Sequence, residues 1–457
     1  MSSFAEIAVD TYQDPTKRLF TYRVPENLAK TVSEGTKVLI PFGKRVVEGF
    51  IWSISDRKPP FPTKEIQAVK GPVFSKNQVE LAKWMVKRYL GAPLECLRCQ
   101  IGEKGARSAS APPENIHTLL LVPTTAQVKI RALAEKQKDI LVGSRSAVFA
   151  SLPNLKKIIV EEPENWNYKD ERAPYYHATE VAKKRAELEN LAIELRYQTP
   201  RTEDVNFGAE IPPLKPVKIV DLDREKLAGN FTFVSQPMED MVTSQKYSLV
   251  YVNSRELREG VEEELRRLGP DKNLYKIAGP EIFALPYQES FYTIWADADT
   301  LLNLPDFRAH EKLVWTVQKL SRITKEGLFL QTSSPENPLL QELGRGDLNS
   351  FYRREQENRQ KLGYPPFRTL VKLSFSAKRS AKVSLEAEKM FEEISGVSDK
   401  VSGIETSPPY EPYSKTPGKY QLNIAIKTKP GDLAVLAKLA KIVPSEWKVE
   451  VDPESLL

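Results

Sequence analysis

The stretch HTLLLVPTTAQVKIRALAEKQK (117–138), with KKIIVEE (156–162) after it, decides the fold of the chain's middle. An apolar run, Leu119–Val122, is stopped by Pro123; a charged segment of helical character follows, and then a second apolar run. The alternation continues outward. VKIVDL (217–222), SLVYVN (248–253), FYTIWAD (291–297) and GLFLQT (327–332) read as further strands, while TEVAKKRAELENLAIELR (179–196), ELREGVEEELRRL (256–268) and RAHEKLVWTVQKLSR (308–322) read as helices. Apolar strands separated by charged helices predict parallel sheets with crossover helices. The span 116–350 is long enough for two such lobes, placed at 116–237 and 238–350.

The flanks read differently. LFTYRVP (19–25), TKVLIPFG (36–43) and VEGFIWSIS (47–55) are short strands punctuated by turn residues, which makes residues 1–72 a small β module. KPPFPTKE (58–65) is a proline-rich loop, and NQVELAKWMVKRYL (77–90) puts Val79, Ala82, Val86 and Leu90 on one helical face of a unit covering 73–107. SASAPPEN (108–115) is a linker. The last hundred residues run RTLVKLSFSA, AKVSLEAEKMFEEISG, VSGIETS, YQLNIAIKT, GDLAVLAKLAKI and WKVEVDP, the βαββαβ order of a C-terminal α+β domain over 351–457.

A length of 457 residues agrees with several domains at about 150 residues each. Hydrophobic residues at 40%, charged residues at 28% and a mean hydropathy of −0.42 describe a globular chain rather than a disordered or membrane one. Its longest apolar run falls far short of the ~20 residues a membrane span needs. MSSFAEIAVDTYQDP lacks the basic and apolar segments of a signal peptide, so a cytoplasmic location is expected. The two cysteines, Cys96 and Cys99, form one lone CxxC, half of what a zinc site requires.

The net charge of +6 is unevenly spread. Residues 1–110 carry +7 and residues 351–457 carry +4, which leaves the middle at −5. Affinity for nucleic acid comes mainly from lysine and arginine neutralising phosphates, so any DNA contact belongs to the two ends. A phosphate-cradling loop needs GxxxxGK[ST], and neither Gly43-Lys44-Arg45 nor Gly418-Lys419-Tyr420 has that form.

VGSRSAVFASLPNLKKIIVEEPENWNYKDERAPYYHATEVAKKRA (142–186) resembles the segment around the DEEH box of the PriA family of bacterial replication restart helicases. FTYRVPENL with GTKVLIPFGKR (20–45) is similar to that family's N-terminal 3′-end-binding domain, and residues 76–101 to its winged-helix part. WADADTLLNLPDFRAHEK (295–312) is similar to its second helicase lobe; FYRREQENRQKLGYPPF (351–367), GKYQLNIAIK (418–427) and VEVDPESLL (449–457) are similar to its C-terminal domain. The resemblance implies a multidomain α/β chain: a small β module and a winged-helix-like unit, two degenerate RecA-like helicase lobes, and a C-terminal α+β domain.

The departures bear on activity. Where the family has its P-loop, this chain passes from SASAPPEN directly into LLLVP (119–123). The DEEH box aligns with Glu161, Glu162, Pro163 and Glu164, and one added methylene matters for octahedral Mg²⁺. The SATPS segment keeps only Thr199-Pro200. In QKLSRITK (318–325) Arg322 remains, but Lys325 replaces the second arginine and cannot form a planar bidentate clamp. The family's zinc-binding insertion is missing after NSREL (253–257). No catalytic residue is expected beyond the remnants Glu161, Glu162 and Arg322, and none of ATP, Mg²⁺ and zinc is expected as a cofactor.

The resemblance places DNA contacts at Phe20, Thr21, Gly43, Lys44, Arg45 and Gln67, with Lys64 and Lys70 nearby and Thr21 standing where the family often has Asp. At the other end Tyr352, Arg353, Arg354, Arg359, Lys361, Tyr364 and Phe367 form a basic-aromatic interleave, which suits branched or single-stranded DNA by stacking and phosphate contacts. Packing alone also accounts for Phe20, for Tyr22 and for the GYPP turn. Lys83, Lys87, Arg88 and Arg98 suit duplex phosphates or a solvated face equally. The expected partners are forked or branched DNA with nascent 3′ ends, other replication restart proteins, and a replicative helicase loader or single-strand-binding protein, with nucleoid association and no membrane. Two alternatives stay open, a residual ATP-dependent 3′-to-5′ helicase and a pure protein-interaction scaffold.

Overall fold

The computed structural model describes residues 3–9, 19–101, 115–135, 138–284, 289–398, 403–414 and 417–457. The linker read at 108–115 lies outside them except for Asn115. The chain folds as a multidomain α/β protein in two compact units, both discontinuous in sequence. One holds Met1–Pro123, Ala134–Arg196 and Arg368–Leu456; the other holds Thr124–Leu133 and Tyr197–Phe367 with Leu457.

The first unit contains three sheets. β1 (Ser3–Val9), β2 (Leu19–Val24), β3 (Thr36–Phe42), β4 (Arg45–Ser55) and β5 (Ala68–Pro72) form an antiparallel sheet ordered β2-β1-β4-β3-β5. Alternation along each strand sends Ala5, Ile7, Tyr22, Val24, Val38, Ile40 and Ile51 to one apolar core. β6 (Thr118–Leu121), β7 (Ile140–Gly143), β8 (Lys157–Glu161) and β9 (Ala192–Arg196) form a parallel sheet ordered β7-β6-β8-β9.

The helix Lys76–Tyr89 joins these parts. Ser75 and Gln78 close a capping box at its start. Its apolar face, Val79, Leu81, Ala82, Met85 and Tyr89, enters one core with Phe50 and Trp52 of β4, Leu119 of β6, and Ile158 and Val160 of β8. Cys96 is buried in the same core, and burial pushes its thiol and that of Cys99 well above their ordinary range.

The third sheet appears after Arg368. Its strands, with those of the other unit counted first in chain order, are β15 (Thr369–Ala377), β16 (Glu405–Thr406), β17 (Tyr420–Thr428) and β18 (Lys448–Val451), ordered β16-β17-β15-β18. The helices Ser380–Ser398 and Leu433–Ile442 complete the expected βαββαβ order, and the core beneath them holds Val371, Leu373, Phe375, Ile424, Ile426 and Leu436.

The second unit is built on one parallel sheet of β10 (Lys218–Asp221), β11 (Ser248–Tyr251), β12 (Tyr275–Ala278), β13 (Ser290–Trp295) and β14 (Thr324–Thr332), ordered β10-β14-β13-β11-β12. Its polar centre is a buried charge network. Arg359, 1% exposed, meets Glu355 at 2.8 Å, Glu203 at 3.0 Å and Glu311 at 3.3 Å, and Arg308 meets Glu311 at 2.8 Å. Burial opposes ionisation of Glu311, but Arg359, Arg308 and Arg201 with the Thr202 amide outweigh it and hold the carboxyl well below the usual range.

Some expectations are corrected. The helix read through 179–196 ends at Glu189, because Asn190 takes the left-handed conformation (φ 54°) that a short polar side chain tolerates. Residues 192–196 then pair with β8 as a strand. VKIVDL, assigned to the lobe 116–237, pairs with β14 and belongs to the second sheet of that region. Residues 73–101 contribute two helices and no strand of their own, so the winged-helix reading finds no wing among the described residues. The helix Leu348–Leu362, assigned to the C-terminal domain, falls in the second unit.

Two outcomes follow for the second unit. Arg359→Met takes the 2.8 Å arginine contact from buried Glu355 and one of two arginine partners from Glu203 and Glu311, and is expected to cost the unit about 3–5 kcal/mol, read as lost amide-exchange protection in Ala309–Ile323. Because the Glu311 carboxyl titrates lower folded than unfolded, its stabilisation is full above the ordinary glutamate pKa of about 4.3 and is lost as pH falls through the folded value. Melting curves from pH 6 downward should show that loss, and Glu311→Gln should melt lower at neutral pH with a flatter acid slope.

Candidate nucleic-acid interface

The β3–β4 hairpin turns at Gly43-Lys44, with Phe42 opposite Arg45 and Gly43 at φ 60°, where glycine is at no disadvantage. Phe20, on the inner face of β2, meets Phe42 edge to face at 5.0 Å. The Tyr22 hydroxyl donates to the Pro41 carbonyl at 3.1 Å, fixing the same end of the module. A strap from Lys64 to Gln67 is stitched between β2 and β3: the Ile66 amide donates to Arg23 at 3.1 Å and the Gln67 amide to Leu39 at 2.9 Å. Lys64 Nζ reaches the Gly43 carbonyl at 3.4 Å. Phe20, Phe42, the Gly43 turn and Lys64 therefore gather at one end of the module.

Thr21 does not join them. Strand alternation places it on the opposite face, paired with Glu6, whose carboxylate accepts from Ser53 at 2.7 Å. Gln67 contributes its backbone to the strap and leaves its side chain exposed. Lys44, Arg45, Lys64 and Lys70 are exposed and have no ion-pair partner among the described residues, whereas Arg23 is paired with Glu65 and Lys37 with Glu48. This end of the module offers an aromatic edge, a close-approach glycine and unneutralised cations, the chemistry of a phosphate and base contact.

The series at 352–367 is mostly spent on packing. Tyr352 is 2% exposed and donates to the Pro200 carbonyl at 2.6 Å. Arg354 grips Glu342 through two bonds of 3.0 and 2.7 Å, Arg359 lies in the charge network, and Tyr364 stacks on Phe307 at 5.0 Å. Arg353 and Lys361 remain exposed. One face of an amphipathic helix must bury, and here it is the face that carries these arginines and aromatics.

Sequence reasoning missed a second basic-aromatic surface on the βαββαβ module. A groove of about 510 Å³ is lined by Lys378, Ser380, Ser384, Glu411, Lys419 and Tyr420 among others. Tyr420 is 55% exposed, and Tyr413 beside Pro412 is 68% exposed. The signal was present in AKRSAK (377–382) and PGKYQ (417–421), where cations flank a helix start and a glycine turn.

Glu161, Glu162 and Arg322 are bound into local structure. Glu162 adopts a left-handed backbone (φ 51°), donates its amide to the Arg196 carbonyl at 2.9 Å and accepts from Asn165 Nδ2 at 3.2 Å. Glu161 faces Arg196 at 3.7 Å, and its carbonyl accepts from Tyr168 at 2.8 Å. In the other unit Arg322 donates to the Gln198 carbonyl at 2.8 Å. Glu162 is thus turned to its own loop and Glu161 faces a guanidinium.

Residues 6–101 match the family model of the PriA 3′DNA-binding domain. Replication restart protein PriA of Bacillus subtilis (strain 168) is 23% identical over 440 residues, covering 72% of this chain and 54% of that protein. Replication restart protein PriA of Thermotoga maritima is 23% identical over 426 residues, covering 70% of this chain and 56% of that protein. The chain spans about half the length of these curated relatives. Among solved structures, the Escherichia coli DEAH/RHA helicase HrpB aligns with a TM-score of 0.33 at 11% identity, over 50% of this chain and 38% of that one, too slight a likeness to carry an argument.

Two variants separate packing from binding. Arg354→Met should lower the melting temperature, since it leaves the Glu342 carboxylate buried without its partner, and should leave single-stranded DNA affinity unchanged in a filter-binding assay. Lys419→Gln with Tyr420→Ser should do the reverse, because one base stack is worth about 1–3 kcal/mol and both side chains face solvent.

Proposed function

We propose that this chain, PriA-like in sequence over most of its length, is a DNA-binding protein of replication restart that recognises forked or branched DNA without acting as a helicase. The observation that carries this reading is the convergence of Phe20, Phe42, the Gly43 turn and Lys64 within the region matching a 3′DNA-binding domain. A base at a strand's 3′ end would lie against the aromatic pair, its phosphates would meet Lys44, Arg45 and Lys64, and the glycine turn would let the terminal sugar approach the backbone. The groove at Lys378, Lys419 and Tyr420 would take a second segment of the same branched substrate.

The two parallel sheets, β6–β9 and β10–β14, are read as degenerate helicase lobes that keep packing and hold partner proteins. Engagement of Glu161, Glu162 and Arg322 by their own chain supports the loss of ATP hydrolysis, as does the missing P-loop in the sequence. Partners of replication restart, a helicase loader or a single-strand-binding protein, and nucleoid association in the cytoplasm complete the proposal.

A fork with a 3′ end at its junction should bind tighter than plain duplex at ~100 mM salt, where exposed charges are already well screened, and equal affinity refutes fork recognition. Phe20→Ala should cost roughly tenfold on the free-3′-end fork and much less on blunt duplex, in line with one lost stack. Lys44→Gln should lower the slope of log affinity against log salt by about 0.9, the share of one phosphate. DNA-stimulated ATP turnover should not exceed a protein-free blank; turnover that vanishes in Glu162→Gln would establish the opposite.

A further inference from the structure

We propose that the C-terminal edge of the β10–β14 sheet is a docking groove for a cationic, amphipathic segment of a partner protein. The inference rests on the partner-holding part of the function above and is independent of its DNA-binding part. Open parallel sheets present their ligand crevices where the strands end. Here a cavity of about 300 Å³ lies past the ends of β13 and β14, lined by Ala296, Asp297, Gln331 and Ser333 together with Phe231 and Phe233.

The apolar wall is built to face water. Phe231 is 80% exposed and Phe233 52%, and Leu227, just before them in the chain and outside the lining itself, is 90% exposed. The loop that carries the two phenylalanines is fixed: Asn230 Nδ2 donates to Glu225 at 3.0 Å and to the Val234 carbonyl at 2.9 Å, and the Thr232 hydroxyl donates to that carbonyl at 2.9 Å. Phe233 lies against Gly260 in the middle of the helix Arg255–Leu268, where an added Cβ would sit 2.6 Å from the ring. A glycine there weakens the helix and makes room for the aromatic.

Charge selects the occupant. Glu225, Asp297 and Asp299 line the cavity, and Lys226, its single lining cation among the described residues, is paired with Asp223 at 2.8 Å. Carboxylates of this density repel phosphates, which argues against a nucleic acid on these aromatics. They attract lysine or arginine, while Phe231 and Phe233 accept an apolar side chain from the same segment and exposed Leu227 extends the apolar surface beyond the cavity, the combination of rim charge and central aromatic anchor seen in binding hot spots.

Fluorescence anisotropy with the full chain tests this, using a labelled helical peptide of leucine and lysine and its counterpart of leucine and glutamate. The lysine peptide should bind at least about tenfold tighter than the glutamate one, and Phe231→Ser and Leu227→Ser should each weaken it several-fold. Both residues are exposed, so neither change threatens folding, and fork-DNA affinity should stay at the wild-type value. Equal affinity for the two peptides, insensitivity to Phe231→Ser, or displacement of the peptide by single-stranded DNA would overturn the proposal. Loss of fork binding with peptide binding intact would strike the DNA reading alone.

Discussion

A charge taken out of water must be met by its opposite, and this constraint governs both units. In the first, Arg88 meets Asp452 at 2.6 Å, while the buried Lys169 donates to the carbonyls of Val451 and Asp452 at 2.6 and 3.2 Å. Burial pulls the Lys169 ammonium down to about 8, so its carbonyl partners and nearby carboxylates keep it viable as a cation. These contacts tie the end of β18 to the helix Lys76–Tyr89 and to the loop after β8. In the second unit the same work falls to Arg359 and Arg308 among Glu203, Glu311 and Glu355.

Cations committed this way are unavailable to phosphates, which changes the meaning of the positive ends. Arg88, Arg354 and Arg359 count toward net charge yet sit in ion pairs. Cations on turns and straps stay exposed, among them Lys44, Arg45, Lys64 and Lys70 in the N-terminal module, while Lys378 and Lys419 line the groove of the C-terminal one. Their positions follow from the fold, since hairpin tips and loops leave side chains unpacked where strands and helix faces do not.

Strong period and punctuation made the architecture readable in advance. The β-rich start, the alternating middle and the βαββαβ end all follow from apolar spacing. The N-terminal reading finds three of the five strands and lacks β1 and β5, and the short edge strands β7, β9 and β12 are not read because ILVG, AIELR and YKIA are too brief to separate from their surroundings, with AIELR continuing the helical period of the residues before it. The site was legible in part. Phe20 packs against Phe42 beside the Gly43 turn, while Thr21 falls on the opposite face, a consequence of the two-residue period that a list of adjacent positions hides.

The sequence by itself determined the fold class, the lack of a GxxxxGK[ST] pattern, the lone CxxC and the separation of basic ends from an acidic middle, because each is a matter of residue type and spacing along the chain. Only the tertiary structure decided which cations stay open to solvent. Burial and pairing depend on neighbours far apart in sequence, as when Arg359 meets Glu203 across 156 positions and Arg88 meets Asp452 across 364. The same long-range packing left Phe231 and Phe233 exposed beside three carboxylates, a surface that no local pattern announces.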